Sequence, residues 1–516
     1  MHRPTREMSP DRLGLPPNST AYFLGIDLGT SSVKAALFEA DSFALAAEAS
    51  REYPVVHPRP SFAEQKPSQW WRSTVKAVRA VLQQAGGGHV QGIGLDGQMH
   101  GLVCVDDEQR PVQPAIIWAD TRATAETQEL AARHREWDVI MPGPPAAGFA
   151  ATSALWLSRH RPEILAATRT ILCPKDYLRL CLTGSPATDP SDASGTWLFD
   201  IRRNDWALEV AEYCGLRAAQ LPPIQQSAAL AAGLSSAAAK TLGLRAGTPV
   251  VAGSADMPAQ ALGHGIIEPQ TILATVGTGG QIFVPLRAPH TDDAGRFHLF
   301  RHNVPDRWYA LAAILAGGLS LRWLRAALGM ASKPDAYDHL SALAADVPAG
   351  AQGLLFLPYL AGERTPHMDP QAAGAFIGLK LHHETGHLAR AVMEGVGFAL
   401  KECLDLVDDG FSSITLSGGV TQSAVWPQIL ADIWQRPLTI PAQEIPRACL
   451  GAAILAAVGA GQYDSAREAL SQRSEPLLVI QPNESSLYAD RFAQFRRLYP
   501  LLREEMHALS EVAKIG

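Results

Sequence analysis

Three glycine turns, each following a short apolar run, carry the residue types that hold phosphate. The first is Asp27-Leu28-Gly29-Thr30-Ser31-Ser32, which sets successive backbone N–H groups and three hydroxyls beside a carboxylate. Amides and hydroxyls suit phosphate oxygens, and a carboxylate suits Mg2+, directly or through water. The second turn is Gly277-Thr278-Gly279 and the third Ser417-Gly418-Gly419. One such turn is as readily an ordinary hairpin. Three of them, spread over two halves of the chain, are what clasping a polyphosphate requires. Asp256 follows an apolar strand and leads into a helix with Pro258 near its start. A carboxylate there can cap the helix, or it can face a cleft and take a proton as general base. Spacing alone favours the cap. Gln98-Met99-His100 likewise reads as an ordinary loop, since a lone histidine is seldom a catalyst.

Other patterns fail on context. Gly92-Ile93-Gly94-Leu95-Asp96-Gly97 fits the dinucleotide-binding GxGxxG, which needs a helix N-terminus after the turn. Two of these glycines sit inside the strand, and another apolar strand follows. His383-Glu384-Thr385-Gly386-His387 fits HExxH, which binds zinc when a helix puts both imidazoles on one face. Gly386 weakens that helix by about 1 kcal/mol, and Thr385 reads as the N-cap of a helix over 387–406, so the motif straddles a boundary. Exposed histidines on a turn are the expectation, and Glu402 is the nearest third ligand if zinc does bind. No GxSxG nucleophile elbow is present, and Ser254 lacks its flanking pattern.

The elements that position these groups follow from periodicity. Residues 22–27 and 33–38 read as strands around the first turn, and 67–84 has helical spacing. Residues 90–95 read as a strand ending in a turn at 96–97, and 102–105 and 249–252 as further strands. The stretch 123–242 is Ala-rich and mostly helical in pattern, with loops at 142–145 and 183–195. Strand, Gly-Thr turn and strand at 24–38 recur at 271–284, and the strand–turn at 93–97 recurs at 414–419. Two echoes in the same order point to a duplicated α/β unit with a cleft between two lobes.

Composition agrees. The 516 residues are too many for one ordinary core, and 47% are apolar against 18% charged, which excludes a disordered chain. Lys+Arg 44 against Asp+Glu 51 gives −7, without a run of five like charges, so neither nucleic acid nor a membrane surface is an expected partner. The six cysteines are scattered with no CxxC pair, as in a reducing compartment. The polar segment before residue 22 has no apolar core of a signal peptide, and no apolar stretch reaches the roughly 18 residues of a membrane span. A cytoplasmic chain with a flexible leader at 1–21 is the expectation.

Taken together, DLGTSSVK at 27–34, GQMHG at 97–101, PKDYLRL at 174–180, LPYLAGERTPH at 357–367 and the segment 374–394 resemble the FGGY carbohydrate kinases. GQMHG and GERTPH are similar to its xylulokinase branch. The resemblance runs in order from residue 22 to 502. It implies an actin-like, ribonuclease-H-like two-lobe fold, with lobes at 22–265 (sugar side and first phosphate loop) and 266–505 (nucleotide side). It implies transfer of the γ-phosphoryl of ATP to a ketose hydroxyl, D-xylulose leading and another pentulose or polyol next. Asp256 then matches the general base. Gln98, Met99 and His100, with Trp118, Asp120 and Arg122, match the sugar side. Asp27, Gly29, Thr30 and Ser31 match the loop for phosphate and Mg2+, Asp27 being the metal ligand. Thr278, Gly279, Gly318, Gly418, Gly419 and Ser423 match nucleotide contacts, and 448–452 the adenine-side helix. A homodimer is also implied. Met257, Gly279, Ser153, Ala119 and Arg322 depart from the branch's usual Asn, Ser, Lys, Asn and Asp. Met257 and Ser153 motivate a second reading, an actin-like nucleotide binder that has lost sugar chemistry.

Overall fold

The computed structural model describes residues 20–133, 136–137, 143–289, 295–407, 410–484 and 486–513. The leader expected at 1–21 therefore lies almost wholly outside the described residues.

The first half builds one twisted sheet. Its strands are β1 (Ala21–Leu28), β2 (Ser32–Glu39), β3 (Leu45–Glu52), β4 (His89–Gly97), β5 (Leu230–Gly233), β6 (Pro249–Val251) and β7 (Ser254–Ala255). They lie in the order β3-β2-β1-β4-β6-β5, with β7 paired to the end of β4. The second half builds another from β8 (Thr271–Val276), β9 (Gly280–Leu286), β10 (His298–Arg301), β11 (Trp308–Ile314), β12 (Ser413–Ser417), β13 (Leu438–Pro441) and β14 (Leu477–Ile480). Their order is β10-β11-β9-β8-β12-β13-β14. The pairing senses repeat. A hairpin (β1–β2, β8–β9) is joined by a third antiparallel strand, then a parallel neighbour (β4, β12), a second parallel strand and an antiparallel edge. The duplication expected from the echoes is thus present in six strands of each sheet, with β7 and β10 as additions to one sheet each.

Helix α1 (Pro67–Gln84) falls where its spacing predicts and buries Trp70, Thr74, Ala77, Val78 and Val81 along one stripe. Three local expectations change. Residues 96–97, read as a turn, are the last two of β4, held by pairing to β1 and β7. The strand read at 249–252 ends at Val251. The loop read at 183–195 contains α3 (Pro190–Ser194), capped by Asp189, whose carboxylate accepts from the Ser191 N–H; it follows α2 (Pro174–Thr183).

One helix crosses between the halves. Helices α4 (Asp256–Gly263), α5 (Gly318–Ala327), α6 (Thr385–Val407) and α7 (Arg447–Gly459) complete the framework. α7 belongs to the second half of the sequence, yet it packs on β1 and β4. Its contact leaves no room for side chains: a Cβ on Gly25 would lie 1.9 Å from the Cys449 carbonyl oxygen, and one on Gly94 1.8 Å from that of Ala452. Gly92 and Gly94 of the GxGxxG pattern serve this backbone approach, whereas Gly97 faces Leu28 and Lys175.

Candidate functional site

Adjacent partners in a parallel pair point to the same face, so strand register decides which acids meet. Asp27 at the end of β1 pairs with Asp96 on β4, and Asp96 pairs in turn with Ser254 on β7. One residue past β7, Asp256 opens α4, with Ala255 rather than Asp256 in the cap position. Its Oδ1 accepts from the Met257 N–H at 2.8 Å. Burial, and then the Asp27 charge, push the Asp256 carboxyl up to about 7. Burial also raises Asp27, against the pull of Lys34.

Asp27 and Asp256 open onto a cleft of about 810 Å³ whose walls come from both lobes. The first lobe gives Gly29 and Lys34, and the second gives Ser417, Gly418, Gly419 and the segment 440–448. Gln260 and His264 line it too, and sequence reasoning missed them. Positions 256, 260 and 264 recur every four residues, the spacing of one helix face, so the signal was present. Thr278, Gly279, Gly318 and Ser423 do not line this cleft. The turn 277–279 is pinned to the start of α5, where the Gly318 N–H donates to the Gly277 carbonyl at 2.7 Å. The Thr278 hydroxyl accepts from Arg322 at 3.1 Å. Ser423 Oγ accepts from the Val425 and Trp426 N–H groups and bonds Ser341 Oγ at 3.1 Å.

The residues read as sugar-binding do not line this cleft. His100 has φ +74°, stacks on Phe149 at 4.1 Å and bonds the Gly195 carbonyl at 2.6 Å through Nδ1. Burial holds its imidazole down near 4, so it is neutral at physiological pH. The Met99 sulfur accepts from Tyr309 Oη at 3.6 Å. Gln98 donates to Gln65 at 2.9 Å, while its buried Oε1 has no partner among the described residues. Trp118 is exposed and donates to the Thr30 hydroxyl at 2.8 Å, tying this end to the first phosphate loop. Tyr53 Oη steadies the same loop by donating to the Gly29 carbonyl at 2.6 Å, and the Ser31 carbonyl accepts from the Tyr53 N–H. Asp120 and Arg122 differ from the others. Both Asp120 oxygens accept from Arg122, with the Ala63 N–H as a further donor, and Arg122 also pairs with Glu64 at 2.7 Å. Their polar atoms are taken up within the protein, behind Trp118.

Beneath Asp256 lies a buried clamp. The Lys175 ammonium meets Asp189 at 2.8 Å, Asp176 at 2.9 Å and Asp192 at 3.4 Å, all wholly buried. Lys175 and Arg179 both donate to the Ala252 carbonyl, at 3.2 and 2.9 Å. The Ser191 hydroxyl accepts from the Ala255 N–H at 2.9 Å. The PKDYLRL segment on α2 thereby fixes the strand end that presents Asp256.

Metal chemistry fits one place better than the others. Asp27 combines a raised carboxyl with an open wall of the cleft, which suits a hard cation beside phosphates. Cys173, Asp176 and Asp192 also lie close together, but the Lys175 ammonium already sits among the carboxylates. At HExxH the histidine Nδ1 atoms accept from backbone N–H groups of Lys380 and Glu384, which leaves the proton on Nε2 and opposes zinc ligation. The helix starts at Thr385, two residues earlier than expected and with Thr385 inside it rather than capping it, and the motif still straddles its boundary.

Comparison with known proteins agrees with this arrangement. Residues 22–263 match the N-terminal domain, and 272–460 the C-terminal domain, of the FGGY family of carbohydrate kinases. The chain is 37% identical over 484 residues to the xylulose kinase of Escherichia coli (strain K12), covering 93% of this chain and 99% of that protein. A solved structure titled xyloylose kinase, from Brucella ovis, superposes with a TM-score of 0.87 at 32% identity, over 94% of this chain and 99% of the other. The xylulose kinase structure from Rhodospirillum rubrum gives 0.86 at 30% identity, over 94% and 100%.

Proposed function

We propose, on the premise that the chain belongs to the FGGY family of carbohydrate kinases, that it phosphorylates D-xylulose at its terminal hydroxyl with ATP as donor. The observation that carries this reading is the shared cleft: Asp256 and the Asp27–Gly29 loop from one lobe face Gly418 and Gly419 from the other. Asp256 accepts the proton of the sugar hydroxyl as its oxygen bonds the γ-phosphorus, and the bond from that phosphorus to the ADP oxygen breaks. Backbone N–H groups of the first and third glycine turns, at Gly29 and at Gly418-Gly419, orient the phosphates. His100, Met99, Gln98 and Trp118 shape the sugar end, where Phe149 and Tyr309 brace them. Asp27 would hold Mg2+, which would supply charge neutralisation for the phosphates. Closure of the lobes excludes water from the transfer.

The substrate xylulose is what the named relatives share. Retention of Asp256, GQMHG and GERTPH weighs against a binder that has lost chemistry, despite Met257 and Ala119. A cytoplasmic site of action fits six unpaired cysteines, and no helix among the described residues is long and apolar enough to cross a membrane. The homodimer implied by the resemblance belongs to the same reading and is checked by sedimentation. The deciding experiment is ADP release by the purified protein across ketopentoses, hexuloses and polyols. Highest kcat/KM with D-xylulose supports the reading. A better pentulose or polyol replaces the substrate, and ATP binding without turnover on any of them overturns the kinase.

A further inference from the structure

Asp176 and Asp192 are buried beside Lys175, whereas Asp96 has no such ion pair among the described residues. It has no exposed surface, and neither carboxylate oxygen has a hydrogen-bond partner among the described residues. A buried charged carboxylate without a donor or a counter-charge is costly. Its cross-strand partner on β1 is another acid, Asp27, and the Asp27 charge adds to burial in opposing ionisation of Asp96. Two carboxyls on adjacent strands facing one way need either a shared proton or a cation between them.

The surroundings argue for the cation. Asp27, Asp96 and Ser254 are consecutive partners across three strands and so face one way. Asp256 and Asp192 add further negative charge at Asp96. The cation acting on Asp27 from the protein is Lys34, since Lys175 is committed to Asp176, Asp189 and Asp192. A nucleoside triphosphate entering the same cleft brings still more negative charge. One proton relieves one carboxylate, whereas a divalent ion relieves the pair and the phosphates together.

We propose that Asp96 and Asp27 together hold the divalent cation of this site, Asp96 from beneath and Asp27 from the cleft wall, directly or through one water. This rests on the kinase reading for the cation's presence, though not for the pairing of the two acids. A sequence reading placed residue 96 in a turn. Only the continuation of β4 to Gly97 aligns it with Asp27.

The test uses Mn2+ as the probe, followed by the loss of its free-ion electron paramagnetic resonance signal, with the full chain and a non-hydrolysable ATP analogue. Asp96→Asn replaces the carboxylate by a neutral group of the same shape, so it mimics a protonated Asp96. Asp96→Ser is the second variant should Asn impair folding, and circular dichroism checks both. Loss of about tenfold or more in Mn2+ affinity in the neutral variants, matching Asp27→Asn, supports the pair. Wild-type Mn2+ affinity in Asp96→Asn or Asp96→Ser overturns it and leaves Asp96 as a proton donor to Asp27. If wild-type protein phosphorylates no sugar, the kinase reading falls, while the Mn2+ comparison still decides the pairing.

Discussion

Asp256 is held where a base must be, at a strand's end, with one oxygen spent on the Met257 N–H. Asp256→Asn keeps the shape and removes the proton acceptor. It is expected to lower kcat by about 10²–10⁴ with an unchanged circular dichroism spectrum; near-full turnover would remove Asp256 from the role. Burial sets the pH dependence. Because the carboxyl is pushed up to about 7, the base is mostly protonated in mildly acidic solution. In the free enzyme kcat/KM is expected to rise with pH, reach half its maximum near 7 and level off about one pH unit above. A cation bound nearby moves that limb to lower pH, which a profile at two Mg2+ concentrations resolves. The sign for stability is opposite. A carboxyl raised in the folded state binds protons more tightly folded than unfolded, so stability falls as pH rises from its ordinary 3.8 towards about 7. Asp256→Asn is therefore expected to melt higher than wild type at pH 8 and no higher at pH 4, as read by thermal denaturation. Sequence spacing gave Asp256 an ordinary cap role, and resemblance alone assigned it catalysis. The physical reason, burial beside Asp27, depends on strand pairing that spacing does not carry.

Among the elements, the clamp between α2 and α3 has the largest electrostatic stake. Lys175 pairs with three wholly buried aspartates, sharing Asp176 with Arg179, so Lys175→Met would leave buried negative charge with less compensation. Removing one partner from such a network costs about 3–5 kcal/mol, and Lys175→Met is expected to lower the urea midpoint accordingly, with loss of activity because the Ala252 carbonyl loses one of its two donors and Asp189, which holds the Ser191 hydroxyl against Ala255, loses its counter-charge. Double substitution with Asp189→Asn is expected to recover part of the stability, which a merely steric effect of methionine would not. Legibility at this scale was uneven. α1, the two Gly-Thr turns and the strand echoes were readable because each depends on local periodicity or turn chemistry. α3 was missed because a five-residue helix shows too little period, although Asp189-Pro190 is itself a start signal. Residues 96–97 were misread because Asp-Gly favours turns locally, and pairing on both sides overrides that preference.

For the whole molecule, the duplicated sequence suggests two halves able to stand separately, and α7 argues otherwise. Cys449, Leu450, Ala453, Ile454 and Ala457 of α7 share one buried cluster with Phe23, Ala36, Phe38 and Val251 of the first sheet. Without α7 that face of the sheet is bare, and Gly25 and Gly94 are left with nothing to meet. The same helix begins at the cleft, where Arg447 and Ala448 line the wall opposite Asp27 and Asp256. Packing of the first lobe and shaping of the nucleotide side are thus one interaction. A fragment of residues 22–265 is expected to lack a cooperative thermal transition and to bind hydrophobic dyes, whereas the full chain unfolds in one step that ATP shifts upward, by about 2.7 kcal/mol at a hundredfold excess over Kd. Co-expression with residues 266–516 is expected to restore the fragment. A fragment that melts cooperatively alone would mean that the first sheet buries enough surface without α7. Gly94→Ala makes the same point in the intact chain: the added methyl meets a backbone carbonyl that no side-chain rotation can move. Overpacking of this kind costs about 1–3 kcal/mol or more, and it is expected to weaken ATP binding along with the fold, since α7 cannot shift away from β4 without carrying Arg447 out of the cleft wall.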